Sequence, residues 1–167
     1  MPAKSLNIQV ITVSDTRTEE TDKSGAVLVK RLGQAGHNLL AKTIIADDVH
    51  ALRAAVSTHI ADPHTQVVLM TGGTGFTRRD NTQRAIAPLL EAHIEGFGEL
   101  FRFLSYAEIG SSTVQSRAFA GITNGTIIFC VPGSPGACAT AWDKIIAEQL
   151  DSEHKPCNFV DKLKHTQ

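Results

Sequence analysis

The chain has 167 residues, of which 42% are hydrophobic and 20% charged, a composition typical of one soluble globular domain with a real core. Its net charge of −1 lacks the clustered basic surplus of a duplex nucleic-acid binder, and its histidines form no HxxxH or HExxH pair for zinc. The cysteines form no CxxC, and the first apolar run is too short for a signal peptide or a membrane span. We therefore expect a cytoplasmic protein with a single domain over residues 1–167 and no nucleic-acid or membrane partner.

Apolar runs predict strands, and a helical pattern follows each of them. The predicted strands are residues 6–13, 38–46, 67–71 and 126–131. In the intervening segments apolar side chains recur every three or four residues, as they do on the buried face of a helix.

The segment between the third and the last of these strands is less regular. Thr82 is predicted to cap a helix over "QRAIAPLLEAHI", and Pro88 inside that segment predicts a kink or a break. A further helix is predicted over "GFGELFRFLSYAEIG", and a short capped helix over "SSTVQSRAFAG".

Aromatic residues are concentrated in the second of these helices. Phe97 and Phe101 follow helical spacing, which favours an ordinary core role. Phe103 and Tyr106 fall off that stripe and are candidates for contact with a neighbouring subunit.

The alternation of strands and helices predicts βαβ units, a mostly parallel sheet and a three-layer α/β/α architecture. In such folds, ligands bind beyond the carboxyl ends of the strands. The loops in question are "SDTRTEETDKSG", "DD", "TGGTGFTRRD" and "PGSPG", and we expect them to converge on one rim.

The glycine-rich loop after the third strand is the first candidate for ligand binding. Gly72, Gly73 and Gly75 allow a sharp turn whose backbone N–H groups suit a phosphate. The loop fits neither the GxxxxGK[ST] pattern, since no lysine follows, nor GxGxxG, since Arg78 stands in the sixth place. A plain strand-to-helix turn is the alternative interpretation.

Charged residues surround this turn. Arg78 and Arg79 offer planar forks of donors that match phosphate oxygens, although solvated loop arginines are the commoner case. Asp80, together with Asp47 and Asp48 after the second strand, suits Mg²⁺, which prefers one or two carboxylates with phosphates and water. The alternative for these acids is N-capping of the following helices. The residues alone therefore indicate a rim for a phosphorylated ligand, with Mg²⁺ as the candidate ion.

Several spaced motifs together resemble the MoaB/Mog family of molybdenum cofactor biosynthesis. They are "VSDTRTEETDKSG", "VVLMTGGTGFTRRDNT", "EGFGELFRFLSYAEIGSSTVQSRAFAG" and "VPGSPGACATAW", in order along nearly the whole chain. The resemblance implies a three-layer α/β domain that binds molybdopterin, a pterin with a dithiolene and a terminal phosphate. It implies transfer of AMP from ATP to that phosphate with Mg²⁺, before a partner enzyme inserts molybdate. It also implies a homo-oligomer, either a trimer or a hexamer.

The resemblance assigns site residues by position. Asp47 and Asp80 correspond to the acids that hold Mg²⁺ and the ATP phosphates and so carry catalysis. The predicted substrate-binding residues come from the glycine loop, the first loop and later serine and proline-glycine positions: Ser14, Asp15, Asp22, Thr71, Gly72, Gly73, Thr74, Gly75, Arg79, Thr82, Ser111, Ser116, Pro132 and Gly133. From the residues alone, capping and turn stabilisation are the alternative interpretation of the serines and acids among them.

Two functions stay open within this resemblance. Some B-type members depart from the paired acids and do not adenylylate. This chain has both acids, which favours an active molybdopterin adenylyltransferase. The alternative is a non-catalytic molybdopterin carrier or scaffold in the same pathway.

Overall fold

The computed structural model, which describes residues 3–165, contains a sheet of six strands in the order β2-β1-β3-β6-β5-β4. The strands are β1 Asn7–Val13, β2 Asn38–Ile45, β3 Val67–Thr71, β4 Ala92–His93, β5 Phe119–Thr123 and β6 Thr126–Val131. The first four in that order run parallel, whereas β5 and β4 are antiparallel to their neighbours. The prediction of a mostly parallel sheet is confirmed.

The central strands β3 and β6 are buried along their whole length. Their sequences are almost continuously apolar, as expected where helices cover both faces of a sheet. The register pairs Thr71 with both Thr12 and Val131, and Val13 with Ile45, so the carboxyl ends of the parallel strands lie side by side. The loops after these strands therefore start from one edge of the sheet, as the sequence predicts.

Helices lie on both faces of the sheet. They are α1 Lys23–Gln34, α2 Val49–Ala61, α3 Thr82–Ile86, α4 Glu95–Ile109, α5 Pro135–Ala141 and α6 Ala147–Gln149, with a π-helical segment Trp142–Ile146 between the last two. Within residues 3–165, none of the helices combines the length and the apolar character needed to span a membrane.

Two hydrophobic cores hold these helices against the sheet. One contains Leu28, Phe101 and Trp142 and packs α1, α4 and the C-terminal helices against one face. The other contains Val56 and Ile86 and packs α2 and α3 against the opposite face. The three-layer α/β/α prediction is confirmed.

The stretch "SSTVQSRAFAG" does not form the predicted capped helix. Gly110–Gln115 is a 3₁₀ helix, and Phe119 begins strand β5. The cause lies just beyond the stretch, where Asn124 and Gly125 have φ of 46° and 69° and join β5 to β6 in a two-residue hairpin. The hairpin gives the sheet its antiparallel edge.

The prediction that Thr82 caps a helix is wrong. Asn81 occupies the N-cap position, and the Thr82 hydroxyl inside the helix donates to the Gly72 carbonyl oxygen at 2.8 Å. The predicted break at Pro88 is confirmed, because α3 ends at Ile86 and a 3₁₀ turn follows. Thr82 therefore ties the helix to the glycine-rich loop.

The aromatic residues of α4 divide into a buried pair and an exposed pair. Phe97 and Phe101 are core residues, as predicted, whereas Phe103 and Tyr106 are 75% and 64% exposed. Contact of the exposed pair with a neighbouring subunit stays a prediction.

A buried ion pair anchors the first turn of α1. The Asp22 carboxylate accepts from the Gly25 N–H at 2.9 Å and from the Thr12 hydroxyl at 2.6 Å, and it lies 2.8 Å from the Lys42 ammonium. Burial acts to raise the pKa of Asp22, but the bonds from Lys42, Thr12 and Gly25 outweigh burial and hold the pKa below its usual value. The pair therefore ties α1 to β1 and β2 in the ionised form of the acid.

Asp22→Asn is expected to lower the free energy of unfolding by about 3 kcal/mol, because it leaves a buried ammonium without its main counter-charge. Since the native pKa is depressed, this stabilisation is complete above about pH 4 and is lost as the pH falls through the native pKa. Denaturant unfolding at several pH values between about 3 and 7 measures both effects.

Asp143→Asn is the matched control. It removes an ion pair to Arg31 in which the Asp143 side chain is 50% exposed, so the expected loss is under about 1 kcal/mol. Similar small losses in the two variants would show that the Asp22 pair contributes no more than a surface pair.

Candidate functional site

A cavity of about 580 Å³ opens at the carboxyl ends of the parallel strands. This volume lies within the range of small-molecule sites. The wall combines the glycine loop (residues 72–80), one face of α4 with the 3₁₀ turn after it, and the loop after β6: Val13, Asp47, Gly72, Gly73, Thr74, Gly75, Asp80, Phe101, Ser105, Glu108, Ile109, Ser112, Gln115, Ser116, Pro132, Gly133, Ser134, Gly136 and Ala137.

The glycine loop requires glycine at its first two positions. Gly72 and Gly73 have φ of 102° and 68°, in the region that disfavours other residues. A Cβ at Gly72 would overlap the Val13 carbonyl oxygen, and a Cβ at Gly73 would overlap the Thr82 hydroxyl and approach the Asp47 carboxylate at 3.0 Å. Because no side chain fits here, the backbone itself forms this part of the cavity wall.

Asp47 joins the loops that follow β1, β2 and β3. Its carboxylate accepts from the Asn81 N–H at 2.9 Å, and its carbonyl oxygen accepts from the Asn81 side-chain amide at 3.1 Å. Its own N–H donates to the Asp15 carboxylate at 3.0 Å. The helix-capping role that was the alternative for Asp47 belongs instead to Asp48, whose carboxylate accepts from the Ala51 N–H at 2.8 Å.

Among residues 3–165, the Asp47 carboxylate has no basic side chain within ion-pair distance. The residue is 5% exposed. Burial raises its pKa, and the nearby carboxylates of Asp80 and Asp15 raise it further, despite the hydrogen bonds from Asn81. A cation or a proton would stabilise this side chain.

Asp80 lines the same cavity as Asp47 and closes a tight turn at the end of the glycine loop. Its carboxylate accepts from the N–H and the hydroxyl of Thr77, at 2.9 and 2.7 Å, so it does not cap the following helix. Burial acts to raise the pKa of Asp80, but the hydrogen bonds from Thr77 and Gly75 outweigh burial and hold the pKa below its usual value. Asp80 is therefore the readily ionised acid of the pair that lines the cavity.

Asp15 and Arg79 form an ion pair beside the two acids. The Arg79 guanidinium donates to one Asp15 oxygen from two nitrogens, at 2.9 and 2.6 Å, while the other oxygen accepts from Asp47. The hydrogen bond from Arg79 holds the pKa of Asp15 below its usual value. Arg79 is thus held near Asp47, although its side chain is 65% exposed.

Most of the predicted site residues line the cavity: Asp47, Gly72, Gly73, Thr74, Gly75, Asp80, Ser116, Pro132 and Gly133. Four of the others brace the wall from behind or beside it. The Thr71 hydroxyl donates to the Pro132 carbonyl oxygen and that of Thr82 to Gly72, while Asp15 and Arg79 form their ion pair.

The remaining predicted residues lie outside the cavity wall. The Ser14 hydroxyl accepts hydrogen bonds from the N–H groups of Thr16 and Arg17. The Asp22 carboxylate forms an ion pair with the Lys42 ammonium. Ser111 does not line the cavity, whereas its neighbour Ser112 does.

Sequence reasoning missed the contribution of α4. Phe101, Ser105, Glu108 and Ser112 recur every three or four residues and all line the cavity. The signal was available, because Ser105 and Glu108 interrupt the apolar stripe of an otherwise core-facing helix. The Thr140 hydroxyl donates to the Glu108 carboxylate at 2.8 Å and so fixes its position.

Comparison with known proteins agrees with the fold. The family described as "Probable molybdopterin binding domain" matches residues 9–152. The chain belongs to this family.

The chain is similar in sequence to several proteins named molybdenum cofactor biosynthesis protein B. Molybdenum cofactor biosynthesis protein B of Escherichia coli K12 is 52% identical over 157 residues, which cover 94% of this chain and 92% of the relative. The protein of the same name from Bacillus subtilis is 48% identical, covering 85% of this chain and 84% of the relative. These relatives support a role in molybdenum cofactor biosynthesis.

Solved structures of MoaB proteins share the fold of this chain. A crystal structure of molybdenum cofactor biosynthesis protein B has a TM-score of 0.86 at 45% identity, covering 90% of this chain and 93% of that one. The tungsten cofactor synthesizing protein MoaB of Pyrococcus furiosus has a TM-score of 0.74 at 38% identity, covering 87% and 92%.

Gly73→Ala is expected to lower the free energy of unfolding by at least about 1–3 kcal/mol and to weaken any anion binding in the cavity. The reason is that residue 73 has a positive φ and that Thr82 and Asp47 leave no room for a methyl group. Thermal unfolding and titration with pyrophosphate measure the two effects. Gly33→Ala in α1, where a Cβ meets nothing within 4 Å, is the control and should be neutral or stabilising. Wild-type stability in Gly73→Ala would contradict the required backbone geometry.

Proposed function

We propose that this protein binds molybdopterin in the 580 Å³ cavity and transfers AMP from ATP to the terminal phosphate of the pterin. The observation that carries the proposal is Asp47, a buried acid without a basic partner among the described residues, beside a glycine-lined wall. Such a group favours a cation, and a cation at a side-chain-free loop suits phosphates.

The two halves of the cavity wall suit the two parts of the pterin. The glycine loop offers backbone groups without side chains, which suit the terminal phosphate and the triphosphate of ATP. The α4 side offers Phe101 and Ile109 as apolar surface and Ser105, Ser112 and Glu108 as polar groups, which suit a flat heterocycle with donors and acceptors.

Asp47 and Asp80 are the residues that would hold Mg²⁺. Carboxylate oxygens are the donors that Mg²⁺ prefers in proteins, and both side chains line the same cavity. When bound, Mg²⁺ would offset the repulsion between the two phosphates and the charge on the leaving pyrophosphate.

The reaction needs no covalent enzyme intermediate. An oxygen of the pterin phosphate attacks the α-phosphorus of ATP, and the bond from that phosphorus to the oxygen bridging the β-phosphorus breaks, so that pyrophosphate leaves. The chain positions the reactants, and Arg79 supplies positive charge at the rim. Burial raises the pKa of the Cys138 thiol to about 11 and that of Cys130 higher still, so neither is a nucleophile.

The product, an adenylylated pterin, would be consumed by a separate molybdate-insertion enzyme. We further propose that the chain acts as a homo-oligomer, a trimer or a hexamer, in which the exposed Phe103 and Tyr106 meet a neighbouring subunit. Large exposed aromatic side chains are typical of such contacts.

Asp47→Asn is expected to lower AMP transfer by about 10²-fold or more, since the isosteric amide keeps the bond from Asn81 but removes the charge. The assay supplies ATP, Mg²⁺ and molybdopterin and measures the adenylylated pterin. Asp48→Asn, one residue along, is the matched control and should retain activity, because asparagine caps helices as well as aspartate.

A molybdopterin carrier is the alternative outcome of this test. If the wild type binds molybdopterin but neither binds Mg·ATP in calorimetry nor forms the adenylylated product, adenylyl transfer is refuted and the carrier function stands. Equal activity in the wild type and Asp47→Asn would refute the role of Asp47.

A further inference from the structure

Arg117 contacts the glycine loop but is not one of the residues that line the cavity. Its guanidinium donates to the Gly75 carbonyl oxygen from two nitrogens, Nε at 3.0 Å and Nη2 at 2.5 Å. Nη2 also reaches the Asp80 carbonyl oxygen at 3.5 Å, and the Arg117 N–H donates to the Thr74 carbonyl oxygen at 3.2 Å. One residue therefore holds the loop at Thr74, Gly75 and Asp80.

The same guanidinium lies over the ring of Phe76, 4.6 Å from its centroid. Phe76 is 66% exposed and has no place in either core cluster, so this cation–π contact is the interaction that orients it. Arg117 thus contacts two consecutive residues of the loop, the backbone of Gly75 and the side chain of Phe76.

Arg117 is itself fixed by the antiparallel part of the fold. It lies between the 3₁₀ turn that ends at Gln115 and strand β5, which begins at Phe119. The carbonyl oxygen of Ala118 accepts from the Arg102 guanidinium of α4 at 2.9 Å. The segment that carries Arg117 is therefore held by both α4 and the sheet.

We propose that Arg117 is a positioning residue, which holds residues 74–80 in the conformation that forms the cavity wall and so sets Asp80 opposite Asp47. It lines a second cavity of about 400 Å³ and not the main one, so we assign it to the support of the loop and not to binding of the substrate. Lysine cannot replace it, because only the planar fork gives two donors to one oxygen while its face covers an aromatic ring.

The effect on the loop is tested without any substrate, by amide hydrogen exchange of the whole chain. In Arg117→Lys, residues 74–80 should exchange at least about 10-fold faster, as expected when a charge-assisted bond is lost, while the central strands keep their protection. Arg53→Lys is the matched control, because Arg53 also donates from Nε and Nη2 to carbonyl oxygens, those of Ala85 and Arg84 in α3. It should leave residues 74–80 unchanged.

The role in the reaction is tested by chemical rescue and rests on the proposed function. Arg117→Ala should lower AMP transfer by about 10²-fold, as expected for a displacement of order 1 Å at the site. Guanidinium at about 50 mM, well below denaturing levels, should restore at least about a tenth of the wild-type rate, whereas methylammonium should not. A merely structural side chain would show no such preference.

The outcomes separate this inference from the proposed function. Unchanged exchange of residues 74–80 in Arg117→Lys, or the same increase in Arg53→Lys, overturns the positioning role. An active wild type with an Arg117→Ala variant that guanidinium does not rescue overturns it as well. A wild type without AMP transfer refutes the proposed function, and the exchange result then decides the positioning role alone.

Discussion

The candidate site depends on the hydrogen bonds that Asp47 makes to two neighbouring loops. Its N–H bonds to Asp15 after β1, and its carboxylate and carbonyl oxygens bond to Asn81 after β3. These bonds hold the acid in a buried position where its charge has no basic partner among residues 3–165. The bonds that join the loops and the affinity for a cation therefore come from the same residue. Loss of the carboxylate charge would lower the affinity for a cation and leave the two backbone bonds in place.

The two parts of the sheet contribute differently to this site. The parallel strands bring the acids and the glycine loop to one edge, because their carboxyl ends are in register. The antiparallel β5 and the 3₁₀ turn before it bring Arg117 against the glycine loop, and α4 contributes Ser105 and Glu108 to the cavity wall. A parallel sheet alone would leave residues 74–80 without the contacts from Arg117.

The sequence predicts best the positions of site residues that directly follow a strand with a clear apolar pattern. Asp47, Asp80 and the glycines follow buried strands, so their place at the rim comes directly from the strand order. Residues whose partners are distant in sequence are not predictable in this way: Asp22 lies outside the wall because Lys42, on β2, takes its carboxylate. Likewise Thr82 bonds to Gly72 instead of capping its helix, and β5 forms because a hairpin at Asn124 overrides a helical pattern.

The most direct measurement is anomalous diffraction from crystals grown with Mn²⁺ and a non-hydrolysable ATP analogue. The ion should be found in the glycine-lined cavity, coordinated by the Asp47 or the Asp80 carboxylate and by the triphosphate. The ion and the nucleotide could instead be found elsewhere on the molecule, with neither of them next to the Asp47 carboxylate. That result would contradict the assignment of this cavity as the site of AMP transfer.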